Sequence, residues 1–315
     1  MMNQSEQLLQ SVQTPVWAIS PHIHTIIPSL FDKTETPLKQ SVFLKTPDND
    51  ELEVNVHIPE NACSGLIILH GLEGSADRYY VSKLAVEAIS QNMAVFGLNF
   101  RSCGSRMNKK RRFYHSGDTG DLMVLIDYVK KTYPELKLNL AGFSLGGNVT
   151  QRYLAENQKN PIEKAATISA PFDLKACSMA MQRGFNRVYE IRFLRKLLKK
   201  LEEKRVHYPD MPEFSGKTLY DFDDQITAPL HGFNSAEDYY ERCSATSVIK
   251  HIQTPLLVVH ALEDPICPFE VIPENELNDH QYISTYFTKE GGHVGFLTKP
   301  QNLIQRKIIE FLITK

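Results

Sequence analysis

The stretch Leu138-Asn139-Leu140-Ala141-Gly142-Phe143-Ser144-Leu145-Gly146-Gly147-Asn148 decides how this chain is read. Its first four residues form a short apolar run of the kind that fills the middle of a sheet. Residues Gly142 to Gly146 fit the pattern Gly-x-Ser-x-Gly, and a helix is predicted from 145 to 157. A serine between strand and helix in this pattern sits on a sharp, strained turn, and its neighbours must be tiny for strand and helix to pass closely. Ser144 is therefore the candidate nucleophile. The alternative is a chance pentapeptide with an ordinary turn serine, which the strand–turn–helix context disfavours.

Reading outward, four more continuous apolar runs stand at 66–69, 94–98, 165–168 and 256–259. Runs of this length suit central strands of a parallel sheet, covered on both faces. Residues 41–46 and 52–58 instead alternate apolar and polar, which predicts a half-buried antiparallel pair closed by the turn Pro47-Asp48-Asn49-Asp50. Helices are predicted near 78–91, 118–133, 145–157 and 300–314, with a last strand near 282–287. Strands alternating with helices give right-handed βαβ units, hence an α/β fold. From about Phe172 to Lys250 the rhythm breaks, with no central strand and a basic helical stretch over 183–205. The expectation is one domain over 1–315, with a helical cap inserted at about 172–250.

A serine hydroxyl attacks only when a base takes its proton and a carboxylate orients that base. With the serine on such an elbow, the partners follow in the order acid, then histidine. Asp264, in His260-Ala261-Leu262-Glu263-Asp264-Pro265, follows the run 256–259, and His293 follows the last strand between glycines. His280 precedes that strand and should lie at the wrong end of the sheet. Asp173, after the run 165–168, and Glu263 are rival acids; Asp264 is preferred because Asp-Pro makes the sharp turn required. His70-Gly71-Leu72-Glu73-Gly74 follows the run 66–69. A loop there supplies one backbone N–H of an oxyanion hole, and the residue after the nucleophile supplies the other, which makes Leu72 and Leu145 the candidate donors. His70 reads as a structural hydrogen-bonder, and the glycines matter more than the side chains between them.

Charge and cysteines narrow the class. Lys and Arg number 35 and Asp and Glu 37, and that balance argues against a nucleic-acid partner. No apolar run approaches the ~18 residues of a membrane helix, and residues 1–13 lack the pattern of a secretory signal. Five scattered cysteines with no Cys-x-x-Cys pair read as free thiols in a reducing compartment, so the expected location is cytoplasmic. No metal site is expected, because there is no His-Glu-x-x-His and His22-x-His24 has no carboxylate at ligand spacing. No Gly-x-Gly-x-x-Gly follows the first parallel strand, so no dinucleotide cofactor is expected. A halide- or epoxide-processing enzyme would carry Asp at the elbow, where this chain has Ser144.

Taken together these segments resemble the α/β-hydrolase superfamily, and within it the YheT-like branch, which also holds eukaryotic abhydrolase-domain lipases and yeast medium-chain alcohol acyltransferases. The resemblance runs through Ser20-Pro21-His22-Ile23-His24-Thr25-Ile26, His70 to Gly74, Asn99-Phe100-Arg101-Ser102-Cys103-Gly104-Ser105 and Tyr114-His115-Ser116-Gly117. It continues through Gly142 to Gly146, Phe222-Asp223-Asp224, Thr227 to Phe233, Ala261 to Pro265 and Gly291 to Phe296. Ser102-Cys103-Gly104 departs from the family's usual Gly-Cys-Gly. The resemblance implies an eight-stranded, mostly parallel sheet with a cap after strand six, and hydrolysis of acyl esters by Ser144, Asp264 and His293. Acyl transfer to an alcohol would use the same residues, and a non-catalytic binding protein on this fold is a further alternative.

The partner expected is a small acyl ester. Residues 183–205 carry nine Lys or Arg, with Phe185, Val188, Leu194, Leu198 and Leu201 at helical spacing. Such a basic amphipathic helix can rest on a membrane surface or meet lipid; the plainer alternative is a cap helix with a solvated charged face. If that stripe lines the substrate pocket, medium acyl chains should be favoured. Oligomeric state is not legible.

Overall fold

One sheet of nine strands runs in the order β1-β9-β8-β7-β6-β4-β5-β3-β2 in the computed structural model, which describes residues 9–10 and 12–314. The strands are β1 (Leu9–Gln10), β2 (Gln40–Lys45), β3 (Glu51–His57), β4 (Ser64–Leu69), β5 (Ala94–Leu98), β6 (Lys137–Phe143), β7 (Ile162–Ile168), β8 (Leu256–Ala261) and β9 (Ile283–Thr288). The eight expected strands are β2 to β9, and the two-residue β1 extends the edge beside β9. β2 and β3 pair antiparallel, as do β3 and β5, and the rest of the sheet is parallel. The central strands are apolar on both faces because both faces are covered. Along β4, Ile67 and Leu69 join one core cluster while Leu66 and Ile68 join the other, as the two-residue period of a strand requires.

The helices are α1 (Pro21–Phe31), α2 (Tyr79–Ser90), α3 (Gly120–Thr132), α4 (Leu145–Glu156), α5 (Leu174–Met181), α6 (Arg187–Arg205), α7 (Leu219–Phe222), α8 (Ala228–His231), α9 (Ala236–Cys243), α10 (Glu274–Asn278) and α11 (Leu303–Ile313). Leu84 and Ala88 of α2 and Ile304 and Ile308 of α11 cover one face of the sheet. Leu122 and Leu125 of α3 and Val149 of α4 cover the other. α5 to α9 fill the connection between β7, the sixth of the eight main strands, and β8. Asn148 ties this cap to the sheet: its amide donates to the Ser116 and Cys243 carbonyls at 2.8 Å, and its oxygen accepts from the Ala245 N–H. Among the described residues no helix is long and apolar enough to cross a membrane.

The hydrophobic pattern does not mark α1, and two expectations for α6 change. On α6, the side chains lining the cavity under the cap are Phe193, Leu197 and Lys200, one position away from the predicted stripe. Leu194 and Leu201 are buried in packing and Phe185 and Val188 are exposed. At 100° per residue, a shift of one position moves the functional face by more than a quarter turn. Nor is the charged face of α6 simply solvated. Lys204 is buried and donates to the Asn108 and Lys110 carbonyls at 2.6 Å.

The Asn99–Ser105 motif is architectural. Arg101, buried, pairs with Asp48, Asp50 and Asp121 at 2.7, 3.1 and 2.7 Å. Asp50 also accepts the Lys109 and Lys110 amides, so one guanidinium fastens the β2–β3 turn, α3 and the basic loop 109–112. Burial pushes the Asp121 carboxyl up even with Arg101 beside it. Arg101→Met should therefore lower unfolding free energy by about 3–5 kcal/mol, the usual cost of leaving buried charge unpaired. Urea denaturation reads this as a lower midpoint at unchanged slope, and an unmoved midpoint would contradict it.

Candidate active site

Four loops at the carboxyl ends of β4, β6, β8 and β9 converge, the place where open α/β sheets hold ligands. At the end of β6, Ser144 has φ 52° and ψ −121°, outside the regions an L-residue favours. The turn is enforced by close passage. A Cβ on Gly142 would lie 2.2 Å from the Gly146 carbonyl oxygen, and one on Gly146 would lie 2.7 Å from that of His70. The Ser144 N–H donates to the Ile168 carbonyl at 2.8 Å, which fixes the turn to β7.

Ser144 Oγ lies 2.8 Å from His293 Nε2, and His293 Nδ1 lies 3.0 and 3.1 Å from the two carboxylate oxygens of Asp264. An ionised carboxylate only accepts, so Nδ1 carries the proton and Nε2 is free to accept the hydroxyl's. Burial alone would raise the Asp264 carboxyl, but the electrostatic attraction and hydrogen bond of the His293 imidazole, with His260 and the Cys267 amide, hold it below its ordinary value. The Ile266 and Cys267 amides both donate to its Oδ1 at 2.9 Å. The rivals lie elsewhere. Asp173 caps α5 by accepting from the Ala176 N–H, Glu263 is exposed, and His280 accepts from the Tyr282 N–H before β9.

The Leu72 and Leu145 amides find no acceptor among the described residues, although their neighbours do. Gly71 N–H donates to the Tyr80 hydroxyl and Glu73 N–H to the Tyr114 hydroxyl. His70 is structural, as expected: it is fully buried, its Nε2 accepts from the Phe100 N–H, and burial pushes it down to about 3. Side chains between the glycines matter more than expected. Glu73 is buried at φ 52° and accepts from the Tyr114 hydroxyl at 2.9 Å and from Lys200 Nζ at 2.8 Å. It pins the loop that presents Leu72.

α1 holds the histidine loop. Thr25 Oγ1 donates to the Pro21 carbonyl and accepts the His293 N–H at 2.9 Å, and His24 Nδ1 accepts the Leu297 N–H. Contact is close enough that a Cβ on Gly295 would lie 2.0 Å from the His24 carbonyl oxygen. The Ser20–Ile26 motif thus splints the base from more than 260 residues away in sequence.

Ser144 and His293 stand where two cavities meet. One, of about 110 Å³, runs under the cap between Leu174, Cys177, Met181, Phe193, Leu197 and Phe222. The other opens toward Arg78, Arg192 and Lys196. Ligand atoms of Asp264, Cys267 and His293 lie within 4.8 Å of one another. However, Asp264 and His293 are engaged with each other, and burial pushes the Cys267 thiol well above its ordinary value. A metal would need the thiolate and a free imidazole nitrogen, so these residues do not fit one.

Residues 66–300 match the family described as the alpha/beta hydrolase fold. The esterase-named YheT of Escherichia coli (strain K12) is 35% identical over 312 residues, covering 93% of this chain and 90% of that one. The monoacylglycerol lipase of Saccharomyces cerevisiae (strain ATCC 204508 / S288c) is 30% identical over 276 residues, 82% of this chain but only 59% of the yeast protein. The solved structure of the Pyrococcus furiosus esterase Pf2001 superposes with a TM-score of 0.61 at 21% identity, covering 87% of this chain and 91% of that one, a likeness of fold.

If Thr25 positions His293, Thr25→Val should lower kcat about tenfold, the worth of one hydrogen bond of ~1.4 kcal/mol. KM should change little, and Thr25→Ser should restore the rate. A valine variant with wild-type kcat would contradict the positioning role.

Proposed function

The chain belongs to the α/β hydrolase fold family, and on that premise we propose that it is a serine hydrolase of carboxylic acyl esters. The observation that carries this reading is the contact chain Asp264–His293–Ser144 beside two amides without acceptors. Ser144 Oγ attacks the acyl carbonyl carbon while its proton passes to His293 Nε2. Asp264 stabilises the imidazolium so formed. Negative charge develops on the former carbonyl oxygen, where the Leu72 and Leu145 amides donate, and such preorganised donors supply much of the rate enhancement. The tetrahedral intermediate collapses, the ester C–O bond breaks, and His293 returns the proton to the leaving alcohol oxygen. Water, deprotonated by the same histidine, then releases the acid and restores Ser144.

The acyl chain belongs in the apolar cavity beneath the cap. A buried methylene contributes ~0.8 kcal/mol, roughly fourfold in kcat/KM. We further propose lipid contact through the exposed Phe185 and Val188, and a reducing compartment such as the cytoplasm, which suits the five free thiols.

Ser144→Ala should remove esterase turnover while leaving the fold intact, and activity near wild type would end this mechanism. Asp264→Asn should lower kcat by about 10⁴-fold, as loss of the orienting carboxylate does in serine proteases. Asp173→Asn keeps a good helix cap and should do little; the reverse ranking would move the acid to the end of β7. Along p-nitrophenyl esters from acetate to palmitate, kcat/KM should rise to a maximum at medium length. Phe193→Ala and Leu197→Ala should move that maximum to longer chains, and a flat profile would contradict an apolar acyl pocket.

A further inference from the structure

The second cavity, of about 310 Å³, opens on the other side of Ser144 and His293 and is lined by Arg78, Arg192 and Lys196. Its acids are already engaged. Asp32 pairs with Lys83 at 2.5 Å and Glu73 with Lys200 at 2.8 Å, while Asp77 accepts from the Asn55 amide. None of the three cations has a carboxylate within ion-pair distance among the described residues. Two of them share one neutral acceptor: Lys196 Nζ donates to the Glu73 carbonyl at 2.9 Å, and Arg78 Nη2 to the same oxygen at 3.3 Å. That leaves two N–H bonds on Lys196 and four on Arg78 without an acceptor among the described residues. Burial, then the repulsion of Arg78, outweighs the attraction of the Glu73 carboxylate and, with Arg192 and Lys200, pushes Lys196 down to about 8.

Like charges assembled beside a nucleophile, with the nearby carboxylates bonded to other groups, are complementary to an anion. A guanidinium fork beside an ammonium suits a phosphate, whose tetrahedral oxygens accept from several donors at once. We infer that this cavity is a phosphate subsite for the alcohol half of the substrate, so that the ester cleaved carries a phosphate on its leaving group. The inference rests on the ester-hydrolase reading and deepens it. The acyl half is assigned to the apolar cavity, and the leaving oxygen must face His293 Nε2, which borders both. The step stays balanced: water adds across the ester, and the products are a carboxylic acid and a phosphorylated alcohol.

The test compares kcat/KM for 1-decanoylglycerol 3-phosphate and 1-decanoylglycerol, both below their aggregation limits. The two differ only in the phosphate. The wild-type protein should favour the phosphorylated ester at least tenfold, and the preference should shrink as salt rises. Arg192→Gln should bring the ratio, measured on the same variant, down severalfold, and Arg192→Lys should retain more of it. Glycerol 3-phosphate should compete with 1-decanoylglycerol. A wild-type ratio near one would overturn the inference, and if inorganic phosphate still inhibited, the cations would be binding a free anion instead of a leaving group. Loss of activity toward every ester, p-nitrophenyl decanoate included, would instead remove the ester-hydrolase reading and this inference with it.

Discussion

Ser144 is held in a backbone conformation that an unconstrained serine avoids, and the site depends on that constraint. The constraint comes from closeness: β6 and α4 approach until only hydrogen fits at Gly142, and α4 meets the end of β4 until only hydrogen fits at Gly146. Residues in such sparsely populated regions persist only where the surroundings over-determine them. Here the Ser144 amide bond to β7 and the packing of Gly146 on the end of β4 do so. The same closeness brings the His70–Gly74 loop against the serine and starts α4 with a free Leu145 amide. The candidate nucleophile and the two amides proposed as oxyanion donors are thus products of one packing event.

Charge is handled differently on each side of Ser144. Glu73 and Lys200 pair in a buried site with Tyr114 and hold the His70–Gly74 loop. A few ångströms of chain away, Arg78 and Lys196 meet on the Glu73 carbonyl with no carboxylate. The cavity under the cap carries the apolar side chains Leu174, Met181, Phe193, Leu197 and Phe222, and the other cavity carries Arg78, Arg192 and Lys196, a division that would orient an amphiphilic ester under the proposed function.

Much of this was legible in the chain. The turn at Ser144 announces itself because steric need and sequence spacing coincide within five residues, and the placement of Asp264 and His293 beside it follows because strand ends bring their loops together. What was not legible depends on tertiary contact. Thr25 acts on His293 across 268 positions, and nothing local in Pro21–Phe31 marks that contact. Glu73 looked interchangeable because only its partners Tyr114 and Lys200, far along the chain, give it a role. The pocket face of α6 was misplaced by one residue, since Leu194 and Leu201 at helical spacing are equally consistent with packing onto the sheet domain. β1 is two residues long and has no periodicity to read.

The central claim is that the strained serine at the end of β6 is the group that becomes acylated. A fluorophosphonate reacts with such a serine only when a neighbouring base activates it. Intact-mass and peptide mass spectrometry of the labelled protein therefore tests the claim most directly. One adduct per chain, mapped to Ser144 and lost in His293→Ala, is the predicted result. An adduct on another residue, or none while ester turnover persists, would contradict it.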